Sequence, residues 1–185
     1  MRALLLLLLV SLATLLCAQE TPAGEGSALS FSRSVNVPLN GVQLYDKALD
    51  AWNWTFGREP GAKLLQSKRE DGTLDGFARF NFRSAMLTMR EESMGTVQYK
   101  VVIRIKPGEC RVLVTELVHS GNASTSLGGV HIGPISRGKD PLSRTPGLSR
   151  SNAQRLLAEL QERSIQRVEA LLNGFEARLR ASAEP

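Results

Sequence analysis

Between Ala62 and Val118 the chain reads as four extended segments in succession, with tight turns rather than helices separating most of them. Parallel neighbours need a crossover of a dozen or more residues, usually a helix, so this run commits the middle of the molecule to an antiparallel sheet. After Ala62–Lys68, with Leu64 inward, Asp71-Gly72 carries the signal of a hairpin turn. The segment that follows alternates most clearly. Leu74, Gly76, Ala78, Phe80 and Phe82 fall on one face, and Thr73, Asp75, Phe77, Arg79, Asn81 and Arg83 on the other, the period of two expected of a half-buried strand. Gly76 and Ala78 are small enough to let a helix approach. Past a less regular stretch ending at Met94, Val97, Tyr99, Val101, Ile103 and Ile105 line one face, with Gln98, Lys100, Val102, Arg104 and Lys106 opposite, before Pro107-Gly108 turns the chain. The last segment, Arg111 to Val118, is apolar on both sides, with Val112, Val114 and Val118 against Leu113 and Leu117. A second covered face is therefore expected there, with residues 119–150 as the cover.

Two helices frame these strands. A short strand, Ser30 to Val37, precedes a helical pattern from Val42 to Phe56 whose stripe is Val42, Tyr45, Leu49, Trp52 and Phe56. At the other end Ser151-Asn152-Ala153-Gln154 has the form of a capping box. Leu157, Leu160, Ser164, Val168, Leu171, Phe175 and Leu179 then trace a second stripe, widened by Leu156, Ile165 and Leu172, with Gly174 as the place for a bend. Each helix has a single apolar stripe, so both pack on one face of the sheet. The predicted fold is α+β, an antiparallel sheet in the order β-α-β-β-β-β-α with both helices on the same face.

The first residues carry a different message. Arg2 followed by the apolar run Leu4 to Leu16 and a return to polar residues at Gln19-Glu20 has the form of a secretory signal, with cleavage after Ala18. The run falls short of the ~20 apolar residues of a membrane span. Cys17 offers the alternative of a lipid anchor, which the bulky Leu16 before it disfavours. The expected organisation is a signal peptide over 1–18, a flexible leader over 19–28, a sheet domain over 29–118, a Gly/Ser/Pro-rich loop over 119–150 and a C-terminal helix over 151–182. The expected localisation is periplasmic or extracellular. Cys110 would then be the sole cysteine of the mature chain, leaving no intramolecular disulfide.

Taken together, the leader, the helix opening Val42-Gln-Leu-Tyr-Asp-Lys-Ala-Leu-Asp-Ala-Trp and strands separated by Asp71-Gly72 and Pro107-Gly108 resemble a family of unknown function. Its members are mostly exported proteins of Bacteroidota with a TATA-binding-protein-like fold. The resemblance spans about Leu29 to Gly121. It implies that fold and export, and it brings no catalytic residues.

With 23 Lys and Arg against 18 Asp and Glu the chain is formally +5, but an exported protein has little occasion to meet nucleic acid, and the basic face has too few aromatics to stack bases. If both helices cover one face, the other displays Arg79, Arg83, Lys100, Arg104 and Lys106, flanked by Lys68 and Arg111 and with Phe77 among them. Clustered cations favour an anionic partner, such as an envelope component or an acidic protein patch. The same charges also protect a sheet from aggregation. The expected function is a non-catalytic ligand- or protein-binding module without cofactor. The alternative is a hydrolase or metal enzyme using His119 and His131 with Glu116, although no metal-binding spacing and no G-x-S-x-G elbow is present. Cys110 reads as structural, or, if exposed, as a site of oxidative dimerisation.

Overall fold

The computed structural model describes residues 27–85, 94–125 and 129–181; the expected signal peptide and nearly all of the leader lie outside the described residues. β1 (Phe31–Asn36) leads to α1 (Gly41–Trp54) and a 3-10 turn (Phe56–Arg58). β2 (Lys63–Lys68), β3 (Thr73–Arg83), β4 (Met94–Lys106) and β5 (Glu109–Gly121) follow, then the two-residue β6 (Gly133–Pro134) and α2 (Arg150–Ala181). The strands form one six-stranded antiparallel sheet in the order β1-β5-β4-β3-β2, with β6 also pairing β5. The fold is α+β, as the pattern of turns requires.

Both helices lie on one face. Trp52 stacks on Phe56 at 5.6 Å between centroids, Phe56 meets Phe175 of α2 at 6.1 Å, and Phe56 approaches the β4 residue Tyr99 at 6.5 Å. This aromatic column joins α1, α2 and the inner face of the sheet in a single core. Gly76 earns its place there, since a Cβ on it would stand 2.7 Å from the ring of Trp52. Asn40 caps α1, accepting from the N–H of Gln43 at 2.9 Å while the Asn40 N–H donates to the Gln43 side chain at 3.4 Å.

Several expectations need correction. The buried stripe of α1 is Leu44, Tyr45, Ala48, Ala51 and Trp52, and Val42 is exposed, because the small Ala48 and Ala51 let the axis come nearer the sheet than Val42 and Leu49 would. The cap of α2 is Ser149, whose hydroxyl accepts from the Asn152 N–H at 3.3 Å, while Gln154 donates to Asp140 instead. Ile165 is exposed, and α2 runs unbroken through Gly174.

The largest correction concerns β5. Glu116 has φ +54°, and the pairing shifts between Gln98 and Lys100 so that β5 carries an extra residue, a β-bulge. The extra residue reverses the alternation. Cys110, Val112 and Val114 point inward before it, Leu117 and His119 after it, and Val118 is turned to the outer face. The phase change exchanges the places of Leu117 and Val118, and it leaves Leu113 and Val118 as half-buried apolar residues on the outer face. Residues 129–149 pack on the helical side instead. Val130, Ile132 and Ile135 join the core, the Gln161 amide of α2 donates to the carbonyls of Ser136 (2.6 Å) and Gly138 (2.8 Å), and the Leu29 N–H donates to the Ile135 carbonyl at 2.9 Å. Cys110 is buried and its thiol pKa is pushed up to about 12, chiefly by burial, which leaves the structural reading and removes the oxidative one.

Candidate functional site

The register of the sheet fixes what its helix-free face presents. Inward positions of β3 and β4 are paired across the strands, so their outward neighbours are paired too, Phe77 with Lys100, Asp75 with Val102, Thr73 with Arg104 and Arg79 with Gln98. On β5, Arg111 stands directly opposite Arg104, Leu113 opposite Val102 and Glu109 opposite Lys106. All five expected site residues, Arg79, Arg83, Lys100, Arg104 and Lys106, therefore share one face, joined by Lys63, Lys68 and Arg111. The carboxylates among them are Asp75, Glu109 and Glu116.

They share a face without forming one cluster. At about 3.4 Å per residue, the ten steps of β3 from Thr73, beside Arg104, to Arg83 separate the two arginines by roughly 34 Å. Arg104, Arg111 and Lys106 gather at one end, Arg79 and Arg83 lie toward the other, and Lys100 stands between. Half-buried Phe77, Val102 and Leu113 fill the middle. Around the bulge is a shallow depression of about 370 Å³ that includes Leu65, Phe77, Lys100, Glu116 and Val118.

Local pairing removes part of the positive charge. Arg104 reaches Asp75 at 2.6 Å, Lys100 reaches Glu116 at 3.5 Å and Lys68 lies 3.8 Å from Asp71. Among the described residues the Arg111 side chain donates only to the Ser32 hydroxyl, at 3.4 Å. Arg79, Arg83 and Lys106 have no ion-pair partner among the described residues. The Arg104–Arg111 juxtaposition runs against the usual preference for opposite charges in directly facing cross-strand positions. From the sequence Arg111 falls only at the margin of this face, because the register that sets it against Arg104 depends on where β5 starts after the Pro107-Gly108 turn.

The histidines are not brought together with Glu116. His119 points inward and is 1 % exposed. Its Nδ1 accepts from the Ile132 N–H at 3.4 Å and its ring meets Phe82 edge-on at 5.4 Å. Burial, and secondarily the neighbouring His131, lowers its pKa to about 4. His131 is exposed, with Nδ1 accepting from the Gly121 N–H at 3.1 Å, and Glu116 is on the opposite face beside Lys100. Among the described residues no His, Cys, Asp or Glu group is arranged to hold a metal.

On the helical side a second polar group is buried. Glu59, 6 % exposed, forms an ion pair with Arg167 of α2, with the Arg167 Nε also donating at 3.2 Å. Tyr99, fully buried, lies close enough to feel both charges, and burial first, then Glu59, raises its pKa. Trp54, at the rim, has the guanidinium groups of Arg58 (3.9 Å) and Arg178 (5.0 Å) over its ring.

No family model matches the chain, and neither does any curated protein. Solved structures do. A TBP-like protein from Parabacteroides distasonis superposes with a TM-score of 0.53 at 10% identity, over 80% of this chain and 93% of that one. A DUF4468 family protein from Bacteroides ovatus superposes with a TM-score of 0.48 at 15% identity, over 82% of this chain and 91% of that one. The first likeness identifies the fold as TBP-like.

Proposed function

From a TBP-like fold whose two helices leave one sheet face uncovered, we propose that this chain is an exported, non-catalytic binding module and that the uncovered face takes an extended anionic partner. The observation that carries the reading is Arg104 facing Arg111 across β4 and β5, with Asp75 bonded to Arg104 and Arg111 without an ion-pair partner among the described residues. Like charges in facing positions cost stability, and an anionic group laid across them would offset that cost. The spread of the remaining cations along β3 and β4 suits a chain with repeated negative charge better than a single small anion, and the half-buried Phe77, Val102 and Leu113 between them add apolar contact. The same spread supports no catalytic constellation, which would need its groups within hydrogen-bonding reach of one reacting atom.

The test is titration of a fluorescein-labelled polyglutamate with the protein, read by anisotropy. Neutralising Arg79, Lys100 and Arg104 together to Gln removes three exposed cations worth a few tenths to 1 kcal/mol each, and the affinity should fall about tenfold. Raising salt should weaken the unaltered protein in the same direction. Equal binding by the triple variant, or binding indifferent to salt, overturns the reading.

A further inference from the structure

The sheet has one stretch of edge that is neither paired nor plain surface. β2 is six residues long and pairs with β3 only from Thr73 to Phe77, whereas β3 continues to Arg83. Beyond that point Ala62 turns back, its N–H donating to the Glu59 carbonyl at 3.1 Å. Arg79 to Arg83 therefore have β4 on one side and no strand among the described residues on the other.

The direction of their backbone groups follows from the ladder. The Ile105 N–H donates to the Gly72 carbonyl at 2.7 Å, and by the β3–β4 register these two stand directly opposite. In an antiparallel pair the residues that exchange such bonds alternate with those that do not. Even-numbered β3 residues thus point their N–H and C=O groups at β4. Odd-numbered ones point theirs the other way, and of these Asn81 and Arg83 line the open edge, while Gly61 lies against Arg79, a Cβ on it standing 3.0 Å from the Arg79 Nε.

Along that edge lies a cavity of about 600 Å³, within the range of ligand-binding clefts. Phe80 and Phe82 form its floor, and Pro60 lines it as well. The opposite wall is one stripe of α2, Arg163, Gln166, Arg167 and Ala170, at the i, i+3, i+4, i+7 positions of a single helical face. Past the end of β3 the chain is tied to α2, where Glu159 accepts from the Ser84 hydroxyl and the Ala85 N–H, both at 2.5 Å. An open strand edge set beside a helix, with an apolar floor between them, is the setting in which an extended peptide adds as a further strand.

We propose that the groove between β3 and α2 binds an extended peptide of a partner protein as an added antiparallel strand, with acidic and apolar residues in alternation. The alternation is dictated by the faces of β3. Peptide side chains on the helical side would meet Phe80, Phe82 and Ala170 and must be apolar. Those on the other side would lie beside Asn81 and Arg83, where Arg83 has no ion-pair partner among the described residues, and an acidic group completes it. On the α2 wall, which the apolar side chains of such a peptide would face, the charge of Arg167 is already met by Glu59. Arg83 also lies on the open face, but Arg79, Lys100 and Arg104, the residues neutralised above, do not line the groove, so either reading can fail alone.

The probe is an acetylated hexapeptide alternating glutamate and valine, titrated by calorimetry. In antiparallel addition the residues opposite Asn81 and Arg83 have their side chains on the same face, so the glutamate amides make the ladder bonds. N-methylation of the glutamate amides should weaken binding about tenfold or more, and N-methylation of the valine amides should leave it unchanged. Arg83→Gln should weaken binding severalfold, and Lys100→Gln with Arg104→Gln should not. Equal binding of both methylated peptides overturns the proposal, as does no preference for the alternating over a shuffled sequence. A dimer that the peptide fails to dissociate in sedimentation would assign the edge to a second copy of the chain and overturn it as well.

Discussion

His119 occupies a place where a neutral ring is required. Its Nε2 has no hydrogen-bond partner among the described residues, a Cβ on Gly95 would stand 2.7 Å from that atom, and Phe82 packs against the ring. Protonation there would put a charge where water cannot reach it. The folded pKa of about 4 lies below the ordinary 6.5, so between those values the unfolded chain binds a proton that the folded chain does not. Stability is therefore complete above about pH 6.5 and declines as the pH falls toward 4, by on the order of 3 kcal/mol at most for this group. Denaturant midpoints at pH 7 and pH 4.5 measure the decline. His119→Leu should shrink the difference between the two, and an undiminished difference would place the pH dependence elsewhere.

At the scale of elements, the approach of α1 to the sheet depends on Gly76. Its absent side chain admits the ring of Trp52, and a Cβ would also come within 2.8 Å of the Lys63 carbonyl. Gly76→Ala should cost about 1–3 kcal/mol, the range for overpacking a filled core, read as a lower urea midpoint. Adding Trp52→Leu should recover part of the loss. A lack of recovery would mean that the Lys63 carbonyl is the whole obstacle. Gly76 was legible in the sequence because a small residue on the apolar face of a strand invites a close neighbour, and the inward sets of β3 and β4 were legible because their alternation is unbroken. β5 was not legible in the same way. Valine and leucine fit either face, so nothing in Val112 to Val118 marks the bulge, and only the pairing with Gln98 and Lys100 reveals that Val118 turns outward while His119 turns in. The candidate face divides similarly. Which cations lie on it follows from the period of two, whereas the opposition of Arg104 and Arg111 and the pairing of Lys100 with Glu116 depend on register across the turn. The β3 edge depends on the length of β2, set by where the chain leaves the 3-10 turn, a boundary that residue preferences place poorly.

For the molecule as a whole, the strand order β1-β5-β4-β3-β2 makes β2 through β5 a meander of neighbours in sequence, while β1 pairs with β5 from across the chain, Phe31 opposite Val114. Arg33 of β1 is also clasped by Glu169 at 2.8 Å and Glu176 at 3.1 Å, both on α2. Contacts between distant segments require loop closure before they contribute, and they form late. Pulse-labelled hydrogen exchange during refolding should therefore protect amides of β3 and β4 before those of Arg33 and Val35, and the reverse order would show that β1 nucleates the sheet. The order has a consequence for biosynthesis. Chains emerge from the ribosome N-terminus first, so the first strand made has its docking site completed only when β5 and the last helix have followed, and until then Phe31 and Val35 remain uncovered apolar groups on a strand without a partner.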